Sequence, residues 1–337
     1  MMEPIVLPRI SDQKPLVSVI SVTYNHEPYI RACLEGFVMQ KTNFPVEFII
    51  HDDASTDNTA DIIREYYEKR PDLFHVIIER ENQYSQHKPI LKPLYDMISG
   101  KYFALCEGDD FWTNPDKLQK QFDYLENHEE CHFCSHGVDL SVDSVSNKIP
   151  SSDHPEGDYT IEDILSKNMY FRTCTFFIRC SAFFVPQPPF FTRKVCKEIA
   201  IYIFLAKNSY CHHIQDVMAT HILQFQSSVS QKGRSSREAY AQLMKRCLLF
   251  WNDVDLFYDH MYTSAIQKQI AFSNDGIGCS SDSFKERFIY YKTHFKGFRH
   301  GMRMYYTFLV FTPNFISIQK LNHSYLSLKN AIKKKVR

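Results

Sequence analysis

The chain has 337 residues, 44% hydrophobic and 23% charged, which excludes a disordered or fibrous protein and leaves room for one large domain with an appendage. Formal net charge is zero, with 39 basic and 39 acidic residues, but the charge is unevenly spread. From Ser281 to Arg337 twelve Lys and Arg face only Asp282 and Glu286, a tail of about +10 on a body of about −10.

In chain order, Val17 to Val22 is a β-branched run that reads as a strand, followed by the loop Tyr24-Asn25-His26-Glu27-Pro28. Tyr29 to Gln40 places Ile30, Cys33, Leu34 and Phe37 on one helical face. Phe48-Ile49-Ile50 is the next strand, after which Ser55 or Asp57 can cap a helix carrying Ile62, Ile63 and Tyr66. Phe74 to Ile78 is a third strand, Leu91 to Ser99 a helix ended by Gly100, and Tyr102 to Cys106 a fourth strand. Strands alternating with helices of this length predict a mostly parallel α/β sheet.

Beyond Trp112, Asn114-Pro115-Asp116 opens a helix through Leu118, Gln121, Phe122 and Leu125. Cys131 to Cys134 and Phe176 to Ile178 read as further strands, separated by the polar stretch Ser141 to Asp158, expected to be a mobile loop. Val195 to Ala206 is apolar nearly all round and predicts a buried helix. After about Ser230 helical patterns dominate. The expected division is a catalytic domain over residues 1–230 and a helical, basic and aromatic extension over 231–337.

The ten cysteines show no repeating spacing, and several lie inside apolar runs, which favours reduced, buried thiols in a cytosolic protein. Cys131-His132-Phe133-Cys134 lacks a second matched pair, and strand alternation would turn its two cysteines to opposite sides, against a zinc site. The start lacks a basic region followed by an apolar one, and no apolar run approaches the roughly 18 residues of a membrane span. The expected location is therefore cytoplasmic, with the basic tail implying a peripheral place on an anionic membrane face. Neither a phosphate-binding G-x-x-x-x-G-K-[ST] loop nor a G-x-G-x-x-G is present, which argues against an NTPase or a dinucleotide oxidoreductase.

Two acidic segments carry the chemistry. His51-Asp52-Asp53-Ala54-Ser55-Thr56-Asp57 follows one apolar run, and Glu107-Gly108-Asp109-Asp110-Phe111-Trp112 follows another. Both should sit at carboxyl ends of strands, where open α/β sheets bind their ligands. Two carboxylate pairs facing one crevice repel each other unless a cation or hydrogen-bond donors compensate them. A divalent metal with a nucleotide diphosphate meets that need.

Val17 to Asn25, Asp52 to Thr59, Gly100-Lys101-Tyr102 and Glu107 to Trp112, in this order, resemble the family-2 glycosyltransferases of the GT-A fold, closely over Pro15 to Gln121 and more loosely to about Ser230. The resemblance implies an inverting transferase that moves a sugar from a nucleotide-diphosphate sugar to a glycan or lipid-linked acceptor hydroxyl in cell-surface polysaccharide synthesis. It implies Mg²⁺ or Mn²⁺ on Asp110, with Asp109 nearer the ribose or sugar. It implies nucleotide contacts from Asp53 and Tyr24, while Asp52 holds the loop or joins them. Lys88 and His87 are candidates beside the phosphates.

For the catalytic base the resemblance points to Glu198, at the head of the apolar helix, where an apolar setting would raise its pKa into a useful range. Asp216 is the alternative. The family's later Arg/His segment falls on His221-Ile222-Leu223-Gln224-Phe225, whose His221 and Gln224 depart from the usual pattern. That departure leaves a second reading open, a non-catalytic relative that binds nucleotide sugar or glycan. No nucleic-acid module is recognisable, and nucleic acid is not an expected partner.

Overall fold

The computed structural model describes residues 3–142, 148–150, 154–167, 169–193, 195, 197–223, 236–281 and 283–294. Its centre is a run of parallel strands: β2 (Val17–Thr23), β3 (Val46–Asp52), β4 (Phe74–Ile78) and β5 (Tyr102–Leu105), in the order β4-β3-β2-β5. β3 and β5 are buried at every position, as expected of strands covered on both faces. A short strand that the sequence reading passed over, β1 (Ile5–Leu7), pairs antiparallel with β4 and closes that edge.

Beyond β5 the sheet becomes mixed. β10 (Phe177–Arg179) runs antiparallel between β5 and β7 (Phe133–Val142), and β11 (Cys211–Leu223) pairs parallel with β7 over ten positions. The last strand, β6 (Phe111–Trp112), adds antiparallel to β11. The stretch Ser141 to Asp158, expected to be a loop, instead carries β8 (Lys148–Pro150) on β7 and β9 (Gly157–Tyr159) on β11, with residues 143–147 and 151–153 outside the described set.

Helices α1 (Glu27–Val38), α2 (Thr59–Lys69) and α4 (Lys117–Asn127) put Ile30, Leu34, Phe37, Ile63, Tyr66, Leu118 and Leu125 into one core against β2, β3 and β4. On the other face α3 (Leu91–Met97) and α6 (Cys180–Phe183) cover Phe103 with Tyr95 and Phe183. α5 (Ile161–Ser166) starts on a capping box from Thr160 and Asp163. α7 (Lys197–Leu205) is the predicted apolar helix, with Ala200 to Ala206 buried. Cys131 precedes β7 rather than lying in it, so it joins Cys134 in the same core instead of facing away.

The chain forms two compact units: Met1–Gln187 with Glu198–Gln224, and Pro188–Lys197 with Phe225–Arg337. Pro188–Lys197 thus group apart from the segments on either side of them. Those residues belong with the helical unit because Phe190 packs on Phe250 and Phe257, and Arg193 makes a two-pronged ion pair with Asp253. That unit contains α8 (Arg237–Phe257), α9 (Thr263–Gly278) and α10 (Phe284–His294). Of the basic tail only Lys285 to His294 is described, as α10; residues 295–337 lie outside the described set.

Gly36 shows how tightly the first unit is drawn around β6. A Cβ placed there would lie 2.9 Å from the backbone N and O of Trp112. Alanine at a helix interior normally gains about 1 kcal/mol over glycine. Here backbone atoms that cannot turn aside meet the new methyl, and overpacking of this kind costs about 1–3 kcal/mol. Gly36→Ala should therefore lower stability by about 1–2 kcal/mol, read as a lower urea midpoint at unchanged slope. A stabilised variant would show that α1 and β6 are less closely packed than this.

Candidate active site

The carboxyl ends of β2, β3 and β5 bring the two acidic segments to one edge of the sheet. Asp52 is the last residue of β3 and completely buried. Its carboxylate accepts the Ser55 N–H at 3.0 Å and also takes a hydrogen bond from the Ser55 hydroxyl. Burial pushes its pKa up, and the two Ser55 bonds oppose that shift. Asp52 therefore holds the turn, in which Ala54 adopts a positive φ of 61°.

Asp53 faces the next loop. Its two carboxylate oxygens accept the backbone N–H groups of Gln83 at 2.7 Å and Tyr84 at 3.0 Å, and its carbonyl accepts Asn82 Nδ2 at 2.9 Å. Asp57 ties two helix starts together, accepting from Thr59 N at 3.0 Å and Glu27 N at 3.1 Å. Of the two capping candidates, Asp57 is the one at the head of α2, while Ser55 serves Asp52. Tyr24, just past β2, has an exposed ring, and Lys88 is half-buried in the loop that Asp53 anchors.

The second segment is built by strand pairing. Gly108 sits where a Cβ would come within 2.7 Å of the Thr23 side chain and 3.2 Å of His26 Nδ1, so only glycine brings this loop so close to the end of β2. After it, β6 pairs with β11 through Phe111 opposite Thr220 and Trp112 opposite Ala219. This register delivers the buried Asp110 carboxylate to the Ile222 N–H at 2.9 Å and to His221 Nδ1 at 2.9–3.0 Å. The Cys174 thiol completes the cluster: one ligand-type atom from each of Asp110, Cys174 and His221 lies within 4.8 Å of the other two.

Asp109 points to the more open side, with 23% of its side chain exposed and its carboxylate 3.9 Å from His26 Nε2. Burial and the charge of Asp110 raise its pKa, while His26 and His221 act in the opposite direction. Burial and the same Asp110 charge push the Cys174 thiol well up, so it stays protonated and donates to Asp110. The donors suited to a cation are then one carboxylate and one imidazole, beside a second carboxylate held at a cost. That set fits a divalent ion that takes oxygen and nitrogen ligands.

The two base candidates come from other elements, α7 and β11. Glu198 opens α7 and is half-buried; α7 is anchored through Tyr202 to the Met169 carbonyl and through the Leu205 carbonyl to His132. Asp216 sits in an irregular stretch of β11 and forms a 2.5 Å ion pair with Lys120. The segment read as a strand-turn is thus one continuous strand. Sequence reasoning set His221 aside as off-pattern and did not consider Cys174. The available signal for His221 was its place one residue after Thr220, the strand position that pairs with Phe111 of the acidic motif.

The fold is of the GT-A type. TarS of S. aureus, solved in complex with UDP-GlcNAc, superposes with a TM-score of 0.59 at 16% identity, covering 92% of this chain and 91% of that one. Residues 18–185 match the profile described as glycosyl transferase family 2. An uncharacterized protein of Mycobacterium tuberculosis is 48% identical over 124 residues, 36% of this chain, and the match spans only 35% of that protein's length. The putative teichuronic acid biosynthesis glycosyltransferase TuaG of Bacillus subtilis is 28% identical over 233 residues, 68% of this chain and 88% of that protein.

Asp53→Asn tests the anchoring of the 82–88 loop. The amide puts a donor where two backbone N–H groups need acceptors, and an orphaned buried donor costs about 1–3 kcal/mol. Hydrogen exchange in residues 82–88 should accelerate while the core strands β2 and β3 stay protected. Unchanged exchange in that loop would mean that the carboxylate does not hold it.

Proposed function

We propose that this chain transfers a sugar from a nucleotide-diphosphate sugar to an acceptor hydroxyl, with inversion and with Mg²⁺ or Mn²⁺ assisting. The observation that carries the proposal is the buried Asp110 carboxylate meeting His221 at the carboxyl edge of the sheet, beside the partly open Asp109. Asp110 and His221 would hold the ion, which when bound supplies positive charge to the leaving diphosphate. Asp109 faces the sugar. Asp52 and Asp53 shape the nucleotide side through the loops they fix, with the Tyr24 ring beside the base and Lys88 toward the phosphates.

Glu198 is the proposed base that takes the acceptor proton. One carboxylate is enough, because the ion relieves the leaving group that a glycosidase must protonate with a second acid. The UDP-GlcNAc named for TarS supports a nucleotide-sugar donor, and the pathway named for TuaG supports a cell-surface polysaccharide as the destination. The acceptor would be a growing glycan or a lipid-linked precursor. The competing reading, a relative that binds donor without transferring it, predicts binding with no turnover.

A panel of nucleotide sugars, assayed with Mn²⁺ for both binding and transfer, separates the two. Asp110→Asn keeps an acceptor for the Ile222 N–H but removes the charge, and metal-dependent donor binding should weaken by more than about tenfold. Glu198→Gln should retain donor binding and lose about 10²–10⁴ in transfer rate. Near-normal transfer by Glu198→Gln, with loss in Asp216→Asn, would move the base to Asp216.

The basic tail adds a proposed partner, an anionic membrane surface on the cytoplasmic side, where each cation contributes about 1 kcal/mol. The full-length protein should co-sediment with anionic vesicles and be released by salt. Equal binding to neutral vesicles would remove the electrostatic basis of this reading.

A further inference from the structure

Lys117 opens α4 with its side chain completely buried. Its amine nitrogen has no hydrogen-bond partner and lies 3.9 Å from the centre of the Trp112 ring. Around it face Cys106 just past β5, Cys134 and His136 from β7, and Cys174 from the turn before β10. Two further buried polar atoms, His136 Nε2 and Gln121 Oε1, are without partners as well. None of these groups offers a counter-charge.

Stability does not account for a lysine in this position. A buried ammonium without an ion-pair partner loses its hydration and recovers only part of it through attraction to an aromatic face. A methionine would fill a similar volume without that loss. The compensating gain therefore has to lie in what the Trp112 ring controls. Its Nε1–H donates to the Cys174 carbonyl at 2.9 Å, its edge meets Phe37 at 4.9 Å, and its backbone is half of the two-residue β6 ladder. Asp110 lies two residues before it on the same strand end.

We propose that Lys117 is a positioning residue for the Asp110–His221 centre: its cation fixes the Trp112 ring, and that ring holds β6 in the register that presents the Asp110 carboxylate to a divalent ion. The inference rests on the reading of that centre as a metal site. Burial lowers the Lys117 pKa to about 7. The thiols of Cys106, Cys134 and Cys174 are pushed up and His136 is pushed down by burial, so all four stay neutral while Lys117 changes charge.

The test measures uptake of Mn²⁺ in the presence of UDP, by loss of the free-ion EPR signal, in wild type and Lys117→Met, together with thermal midpoints. Lys117→Met should fold with a midpoint at or above wild type and bind Mn²⁺ about tenfold more weakly at pH 6. The gap should close toward unity by about pH 8, because the wild-type cation is itself lost as pH rises through its pKa. A structural lysine would give a lower midpoint and no pH dependence of the ratio, and either result overturns the proposal. Failure of Lys117→Met to fold overturns it too, since the lysine would then be a stability element. Wild type that takes up no Mn²⁺ would refute the metal reading itself, an outcome distinct from equal uptake by both proteins.

Discussion

The site depends on a two-residue strand. β6 contributes only Phe111 and Trp112, yet its pairing with β11 joins residues about a hundred positions apart and determines where Asp110 points. A ladder so short has little stability of its own. It is held by what surrounds it: the Gly36 backbone against Trp112, the Phe37 ring at its edge, the Cys174 carbonyl on the indole N–H and the Lys117 amine on the ring face. The conformation of the acidic loop is thus set by packing on the core side. The carboxylates are left to the crevice.

The first acidic segment works by a different principle. Asp52, Asp53 and Asp57 each use their carboxylates on backbone N–H groups: Ser55, then Gln83 and Tyr84, then Thr59 and Glu27. Three loops that follow β2, β3 and β4 are thereby locked to one another. Asn25 and Glu27 complete the lock from the β2 side through Thr56 and Asn58. Three acidic side chains so close together would repel, and directed N–H donors offset that repulsion without a metal. The loops after β2, β3 and β4 are therefore tied together by the protein's own donors.

Much of this was legible in the sequence because the signals were local. Buried strands such as Phe74–Ile78 and helix faces such as Ile30, Cys33, Leu34 and Phe37 follow from periodicity alone. The β6–β11 register is not local, and β11 conceals itself. Its pairing with β7 shifts between Ile214, Val217 and Ala219, which breaks the period-two alternation and makes Gln215-Asp216 look like a turn. His221 read as off-pattern because it departs from the Arg/His segment of the resembling family, although its ring meets Asp110. Cys174 was hidden for another reason: a lone thiol between two threonines carries no sign that a carboxylate lies beside it. β1 was missed because three residues at a chain edge give too short a pattern.

A common electrostatic condition links these parts. The core behind the acidic loop contains thiols, imidazoles and one amine, and burial drives nearly all of them toward their neutral forms. A medium of low polarity without fixed charge does little to screen Asp109 and Asp110 from each other, and Asp109 responds with a raised pKa. Two adjacent carboxylates in such a place constitute a standing demand for positive charge on the solvent side. His26 meets part of it at Asp109 and His221 part of it at Asp110, but an imidazole is a weak cation near neutral pH. What remains is a net negative field at the crevice, and that field is the physical basis on which a divalent ion is proposed there.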